Sequence, residues 1–174
     1  LLRHPAFILV CQESNAFGNS MNTEAAMLYA KLNSFRRLVE NTDSFIAYSL
    51  SIIAHPYIAC SFGKDSSVML HLVLKHAPQI QVRFATHPET NLLGNYQEII
   101  SWWRSKHEIS LNEIFCDGDL VKIKHDQRNK LNAGDWDSFF VGIRAEESQG
   151  RMFSLKKYGT FHKLANGRIK ISPL

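Results

Sequence analysis

The stretch Tyr57-Ile58-Ala59-Cys60-Ser61-Phe62-Gly63-Lys64-Asp65-Ser66-Ser67-Val68-Met69-Leu70 constrains this chain more than any other. It reads as a short buried strand, a tight polar turn and an apolar helix. A strand feeding directly into a helix is the unit from which α/β sheets are built. The turn sets a glycine, a lysine and several hydroxyls at a helix N-terminus. Backbone N–H groups and the positive end of the helix dipole converge there, which suits a phosphate or another anion.

The rest of the chain continues the alternation. Helix signals begin at Asn22-Thr23, and Ala26, Tyr29, Ala30, Leu32, Phe35, Leu38 and Val39 recur at helical spacing to about Glu40. Asn41-Thr42-Asp43-Ser44 is expected to break that helix and cap a second one, Phe45–Ile53, which ends before Pro56. After the opening strand and the helix through Leu74, Ile80–Ala85 alternates and reads as a second strand. A loop, Thr86–Thr90, follows. A helix is expected from about Leu93 to Lys106, burying Tyr96, Ile99, Ile100 and Trp103. Asn112–Cys116 reads as a third strand, and Asp117–Asp137 as a polar, mostly mobile surface segment. Ser138–Ile143 reads as a fourth, central strand that turns into a helix near Arg151. Phe161–Leu164 and Arg168–Ile171 flank Asn166-Gly167, the strongest two-residue hairpin signal. The expectation is an α/β fold: a mostly parallel sheet with helices on both faces. Residues 1–54 are expected to form a helical segment packed on the core, and residues 55–174 a nucleotide-binding domain, with a single domain overall.

Composition narrows the function classes. With 174 residues and 45% hydrophobic residues the chain can bury a core, and 11% aromatic and 21% charged residues exclude a disordered chain. No apolar run reaches membrane-spanning length. Ala6–Cys11 is too short and poorly flanked for a signal peptide, so a cytoplasmic protein is expected. Cys11, Cys60 and Cys116 show no CxxC spacing, hence no disulfide framework and no zinc site. The formal charge is +4, and no Asp or Glu follows Glu147, whereas Arg151, Lys156, Lys157, Lys163, Arg168 and Lys170 do. Such a one-sign surface suits a nucleotide or nucleic acid, and equally a merely solvated basic face. The ends, Leu1-Leu2 and Ser172-Pro173-Leu174, read as cut, so a fragment of a longer product or a disrupted reading frame is expected.

In parallel sheets ligands bind at the carboxyl ends of strands. Three polar stretches fall there: Ser61–Ser67, Thr86–Thr90 and Gly142–Arg151. In the first, Gly63 gives an anion room, Lys64 supplies a point charge, and Ser61, Ser66 and Ser67 offer hydroxyls. Asp65 is suited to capping the helix or holding Mg²⁺. The loop is not a Walker A loop, because Ile58 stands where the first glycine is needed and Asp65 where Ser or Thr follows the lysine. Transfer of a γ-phosphate is therefore disfavoured. A helix cap with a chance Gly-Lys pair is the plainer reading.

Ser61-Phe62-Gly63-Lys64-Asp65-Ser66 resembles the PP-loop, the S-x-G-x-D-S signature of N-type ATP pyrophosphatases. With Ser67-Val68-Met69-Leu70-His71-Leu72 after it, the chain looks like the branch that holds phosphoadenosine phosphosulfate (PAPS) reductase and the small subunit of ATP sulfurylase. Gly142-Ile143-Arg144-Ala145-Glu146-Glu147-Ser148 through Arg151 is similar to that branch's G-x-R-x-x-E-S-x-x-R element. Ile169–Leu174 matches its strand and Pro-Leu; the Trp- and Asp-containing segment that follows in the family is not among these residues. The likeness covers roughly residues 55–174. It implies a nucleotide alpha-hydrolase-like fold and binding of ATP, PAPS or adenylyl sulfate (APS), with Mg²⁺. Lys64, Asp65 and Arg144 are the implied catalytic residues. The implied nucleotide contacts are Ser61, Phe62, Gly63, Lys64, Asp65, Ser66, Ser67, Thr86, Glu89, Gly142, Arg144, Glu147, Ser148 and Arg151, with Asp65 as the Mg²⁺ ligand. Expected partners are an adenine nucleotide, a partner subunit or nucleic-acid acceptor, and a second copy of the chain.

Some residues depart from that pattern or have a plainer reading. PAPS reductases act through a cysteine in a C-terminal tail, and no cysteine follows Cys116 here. Thr86 and Glu89 fit the second loop, while His87-Pro88 is unusual. Glu147 and Arg151 stand i,i+4, which also describes an ordinary helix-surface ion pair. Cys60 is either a reactive thiol at a helix N-terminus or a buried strand residue. Two functions stay open: an adenine-nucleotide enzyme acting at the α-phosphate or sulfate, and a nucleotide-binding module without catalysis.

Overall fold

Strand β1 (Pro56–Ala59) is buried on both faces, with Tyr57 and Ile58 essentially without solvent contact. Only the middle of a parallel sheet gives a strand such surroundings. The computed structural model describes residues 27–87, 96–116, 123–144 and 148–174. Within them, β1 leads to α2 (Lys64–Leu74), β2 (Gln81–Thr86), α3 (Tyr96–His107), β3 (Leu111–Phe115), α4 (Ile123–Leu131), β4 (Ser138–Val141), α5 (Gln149–Tyr158), β5 (Phe161–Lys163) and β6 (Ile169–Ile171). Before β1 stands α1 (Asn33–Ser51). The sheet order is β3-β2-β1-β4-β6-β5, every pairing parallel except β5 with β6. This is the α/β architecture that the alternation predicts.

The chain divides into two compact units with the boundary between Phe45 and Ile46. In the first, Lys31 and Leu32 donate back to Leu28 and Tyr29, closing a turn, and Arg36 then donates to Leu32 to open α1. The helix break therefore lies at Ala30–Leu32. It does not lie at Asn41-Thr42-Asp43-Ser44, through which α1 runs unbroken. Such residues cost only tenths of a kcal/mol each in a helix, so packing overrides them, and Thr42 is buried. Tyr29, Leu32 and Leu38, expected on an inner face, are exposed.

In the second unit the sheet's two faces differ in kind. One is apolar: Ile58, Val82, Phe84 and Phe140 are buried with Met69, Leu70 and Val73 of α2 and Ile100 and Trp103 of α3. Tyr96 and Ile99 are half-buried, less enclosed than expected. The other face mixes rings and polar groups: Tyr57 packs against Phe139 and Trp136 beside Arg83. Residues 123–131, within the stretch expected to be a mobile surface segment, form helix α4, whose sequence IKHDQRNKL carries no apolar stripe. It is tied down by hydrogen bonds. Arg83 of β2 donates to the Lys130 carbonyl at 2.9 Å, Arg168 donates to the Asn132 and Gly134 carbonyls, and Tyr57 bonds to Asn132 at 3.0 Å. These guanidiniums satisfy the carbonyls that a helix C-terminus leaves unpaired and complement its dipole. Arg83 is itself buried, over the rings of Tyr57 (5.5 Å) and Trp136 (5.4 Å). Burial pulls its pKa below the ordinary value, yet an arginine stays charged.

Arg83→Met should keep the aliphatic bulk and remove the bond to Lys130. Amide exchange of 123–131 is expected to rise at least tenfold while β1 and β4 stay protected; uniform protection would show that α4 does not depend on Arg83.

Candidate nucleotide-binding site

β1 and β4 are the adjacent strands at which the chain reverses its direction of travel across the sheet. In open α/β sheets this switch point leaves a crevice at the strands' carboxyl ends. Ser61–Gly63 leaves β1 there, and Gly142–Arg144 leaves β4.

The first loop is tightly built. Cys60 still donates to the Arg83 carbonyl, which continues the β1–β2 ladder. Phe62 then takes a left-handed backbone, φ 55°. That conformation costs a non-glycine residue about 1–2 kcal/mol. The buried Phe62 ring, set edge-on to Phe84 at 5.2 Å, offsets it. Such strain concentrates at functional sites. Gly63 is the N-cap of α2, and no side chain bonds the first N–H groups of that helix. Its φ of −71° suits any residue, and an added Cβ would meet only Ser61 Oγ, at 3.5 Å. Neither strain nor packing demands a glycine here. Its absent side chain leaves the helix end open to an anion.

The hydroxyls divide. Ser61 is exposed, whereas Ser66 and Ser67 are buried. Ser66 Oγ lies 3.0 Å from Ser61 Oγ and donates to the Gly63 carbonyl at 3.0 Å, so it shapes the loop. Cys60 accepts from the Phe62 N–H, and burial pushes its thiol up to about 11. It is protonated at neutral pH, which answers the question of a reactive thiol in favour of the buried one. Lys64 is exposed.

The second loop meets the first directly. A Cβ at Gly142 would lie 2.6 Å from the backbone N and Cα of Ser66. Only glycine permits that approach. Two residues on, Arg144 Nε pairs with Asp65 Oδ1 at 2.9 Å, the arginine half exposed and the aspartate mostly enclosed. The structure thus joins two predicted site residues to each other, a pairing across 79 positions that no local pattern signals. Ser148 caps α5 by accepting from the Arg151 N–H at 3.2 Å, so the N-terminus of α5 is closed while that of α2 is open. Arg151 is exposed in the first turn of α5. Thr86 is buried at the end of β2, where its carbonyl accepts from Cys116. Glu89 and Glu147 lie outside the described residues, and with Glu147 the proposed ion pair to Arg151.

No family model matches the chain. Phosphoadenosine 5'-phosphosulfate reductases of several Xylella fastidiosa strains are 30% identical over 144 residues, spanning 69% of this chain and 57% of theirs. The chain therefore spans little more than half the length of these relatives. Among solved structures, Candida glabrata FMN adenylyltransferase superposes with a TM-score of 0.54 at 15% identity, over 98% of this chain and 59% of that one. A point mutant of the same enzyme gives 0.55 at 15% identity, over 98% and 60%. The chain belongs to the PP-loop, adenine nucleotide alpha-hydrolase-like superfamily. Its six-stranded sheet is that superfamily's fold.

The seam between the two loops predicts a contrast. Gly142→Ala should destabilise by about 1–3 kcal/mol, as overpacking does, and Gly63→Ala by less than about 0.5 kcal/mol. Urea denaturation measures both; equal effects would mean that the close approach at Gly142 is not real.

Proposed function

We propose that this PP-loop protein binds ATP or an adenylyl sulfate at the Ser61–Ser67 turn and acts at the α-phosphate or sulfate. The observation that carries this reading is the uncapped N-terminus of α2 facing Arg144 across the switch point. The backbone N–H groups of Lys64, Asp65 and Ser66 would receive phosphate oxygens, and Lys64 would neutralise their charge. Arg144, with half its side chain in solvent, can exchange Asp65 for a phosphate or sulfate and grip it with two parallel hydrogen bonds. Arg151 and Ser148 stand at the near end of α5, and Thr86, Glu89 and Glu147 complete the proposed contacts. A Mg²⁺ fits only in part: Asp65 is the one carboxylate of the loop, with Oδ1 already on Arg144, so the ligand's phosphates would supply most of its coordination.

Transfer to an acceptor would form a bond from the acceptor oxygen to the α-phosphorus and break the α–β bridge, pyrophosphate leaving with the electron pair. The protein's part is positioning and charge neutralisation. Adenylyl transfer and reduction of a sulfonyl group both belong to this reading; among the described residues, Cys60 and Cys116 are buried and neither is assigned as a reductant. A sulfur-metabolic role is supported by the likeness to PAPS reductases, and a bound nucleotide without turnover is the second reading. No helix among the described residues is long and apolar enough to cross a membrane.

Exchange of labelled pyrophosphate into ATP separates the readings. Exchange supports transfer; tight ATP binding without exchange supports a binding module. Lys64→Ala should weaken ATP binding at least tenfold, measured by titration calorimetry, with an unchanged Tm, because Lys64 is exposed. Unchanged affinity would remove the turn from the nucleotide site.

A further inference from the structure

A second arrangement of charge lies on the Tyr57 and Arg83 face of the sheet. Residues 148–174 hold Arg151, Lys156, Lys157, Lys163, Arg168 and Lys170 and no acidic residue. Among the described residues, none of Lys156, Lys157, Lys163 or Lys170 is held in an ion pair. Helix α5 buries no residue, and Phe153 and Tyr158 stand 63% and 45% exposed.

The register orders these groups. Lys170 of β6 pairs with Phe139 of β4, so it points to the Tyr57 and Arg83 side of the sheet. Burial, then the nearby guanidiniums of Arg128 and Arg151, hold its pKa below the ordinary lysine value. His162 lies opposite Lys170 in the antiparallel β5–β6 pair and shares that face. The His162 ring stacks on Tyr158 at 4.2 Å and 9°, and Lys157 Nζ sits 4.9 Å from the centre of the Tyr158 ring. Along that face the groups follow one another as cation, ring, ring, cation: Lys170, His162 opposite it, Tyr158 stacked on His162, and Lys157 over the Tyr158 ring.

We propose that this row is a docking surface for a single-stranded nucleic acid, its phosphates on Lys170, Lys157 and the adjoining cations and its bases on the Tyr158–His162 rings. Like charges gathered on one face repel, and a polyanion relieves that repulsion. The interleaved rings select among polyanions. Bases of a single strand offer π-faces for stacking, whereas inorganic polyphosphate and acidic peptides do not, and a duplex hides them. Lys157, on a flexible exposed stem, can leave the Tyr158 ring to an incoming base and pair with its phosphate. This surface is separate from the proposed loop site, since none of Lys157, Tyr158, His162 or Lys170 belongs to it.

Fluorescence anisotropy of the full chain tests it, with labelled 20-mers of uridine and of thymidine and with a matched duplex and polyphosphate as competitors. Either single strand, or both, should bind better than duplex; a preference between them identifies RNA or DNA. Lys157→Glu with Lys170→Gln should weaken binding more than tenfold and flatten the salt dependence by about 0.7 per cation removed from contact. Tyr158→Ala should weaken it at least fivefold at 200 mM salt, and Tyr158→Trp should restore it. ATP affinity and circular dichroism should not change in these variants. Three results would each overturn the proposal: no single-strand binding at 50 mM salt, equal displacement by polyphosphate with Tyr158→Ala unaffected, or loss of binding with Lys64→Ala while the lysine variants bind normally.

Discussion

The site depends on the close seat of Gly142 against the backbone of Ser66. β1 and β4 are neighbours in the sheet but 79 or more residues apart in sequence, measured from the last residue of one strand (Ala59) to the first of the other (Ser138). What lets the end of β4 reach the first turn of α2 is the missing side chain at Gly142. Because the two backbones meet there, Arg144 arrives beside Asp65, and the exit of β4 faces the open end of α2. A methyl group at Gly142 would force them apart, and the helix end would then stand without a guanidinium opposite it.

The two faces of the sheet are held by different physics, and each suits a different task. Apolar burial under α2 and α3 makes the face behind the loop rigid, which fixes where the N–H groups of α2 point. Strained Phe62 is held by the same packing, since its ring is wedged against Phe84. On the other face, α4 is fastened by Arg83, Arg168 and Tyr57. Buried polar contacts of this kind stabilise less per contact than apolar packing but leave charge near the surface.

What the sequence shows and what it hides follow the same division. β1 and α2 are legible because a buried run, a polar turn and an apolar helix each have a local signature. The β5–β6 hairpin is legible because Asn166-Gly167 supplies the positive φ, 85° at Gly167, that its turn requires. Helix α4 is hidden, because its partners Arg83 and Arg168 lie about 40 residues away on either side. The break at Ala30–Leu32 is hidden because those residues are good helix formers, and Asn41–Ser44 misleads because caps matter only where a helix already ends. In the site, the loop and Arg144 are visible as residue types. Their mutual pairing, the left-handed Phe62 and the inward turn of Ser66 and Ser67 are properties of the folded chain.

A crystal structure with α,β-methylene-ATP, which resists cleavage at the α–β bridge, examines the assignment at its centre. The α- and β-phosphates should lie within hydrogen-bond distance of the N–H groups at the start of α2, with Arg144 turned from Asp65 onto one of them. Phosphates bound elsewhere, or Arg144 still paired with Asp65 while the nucleotide is bound, would contradict the account.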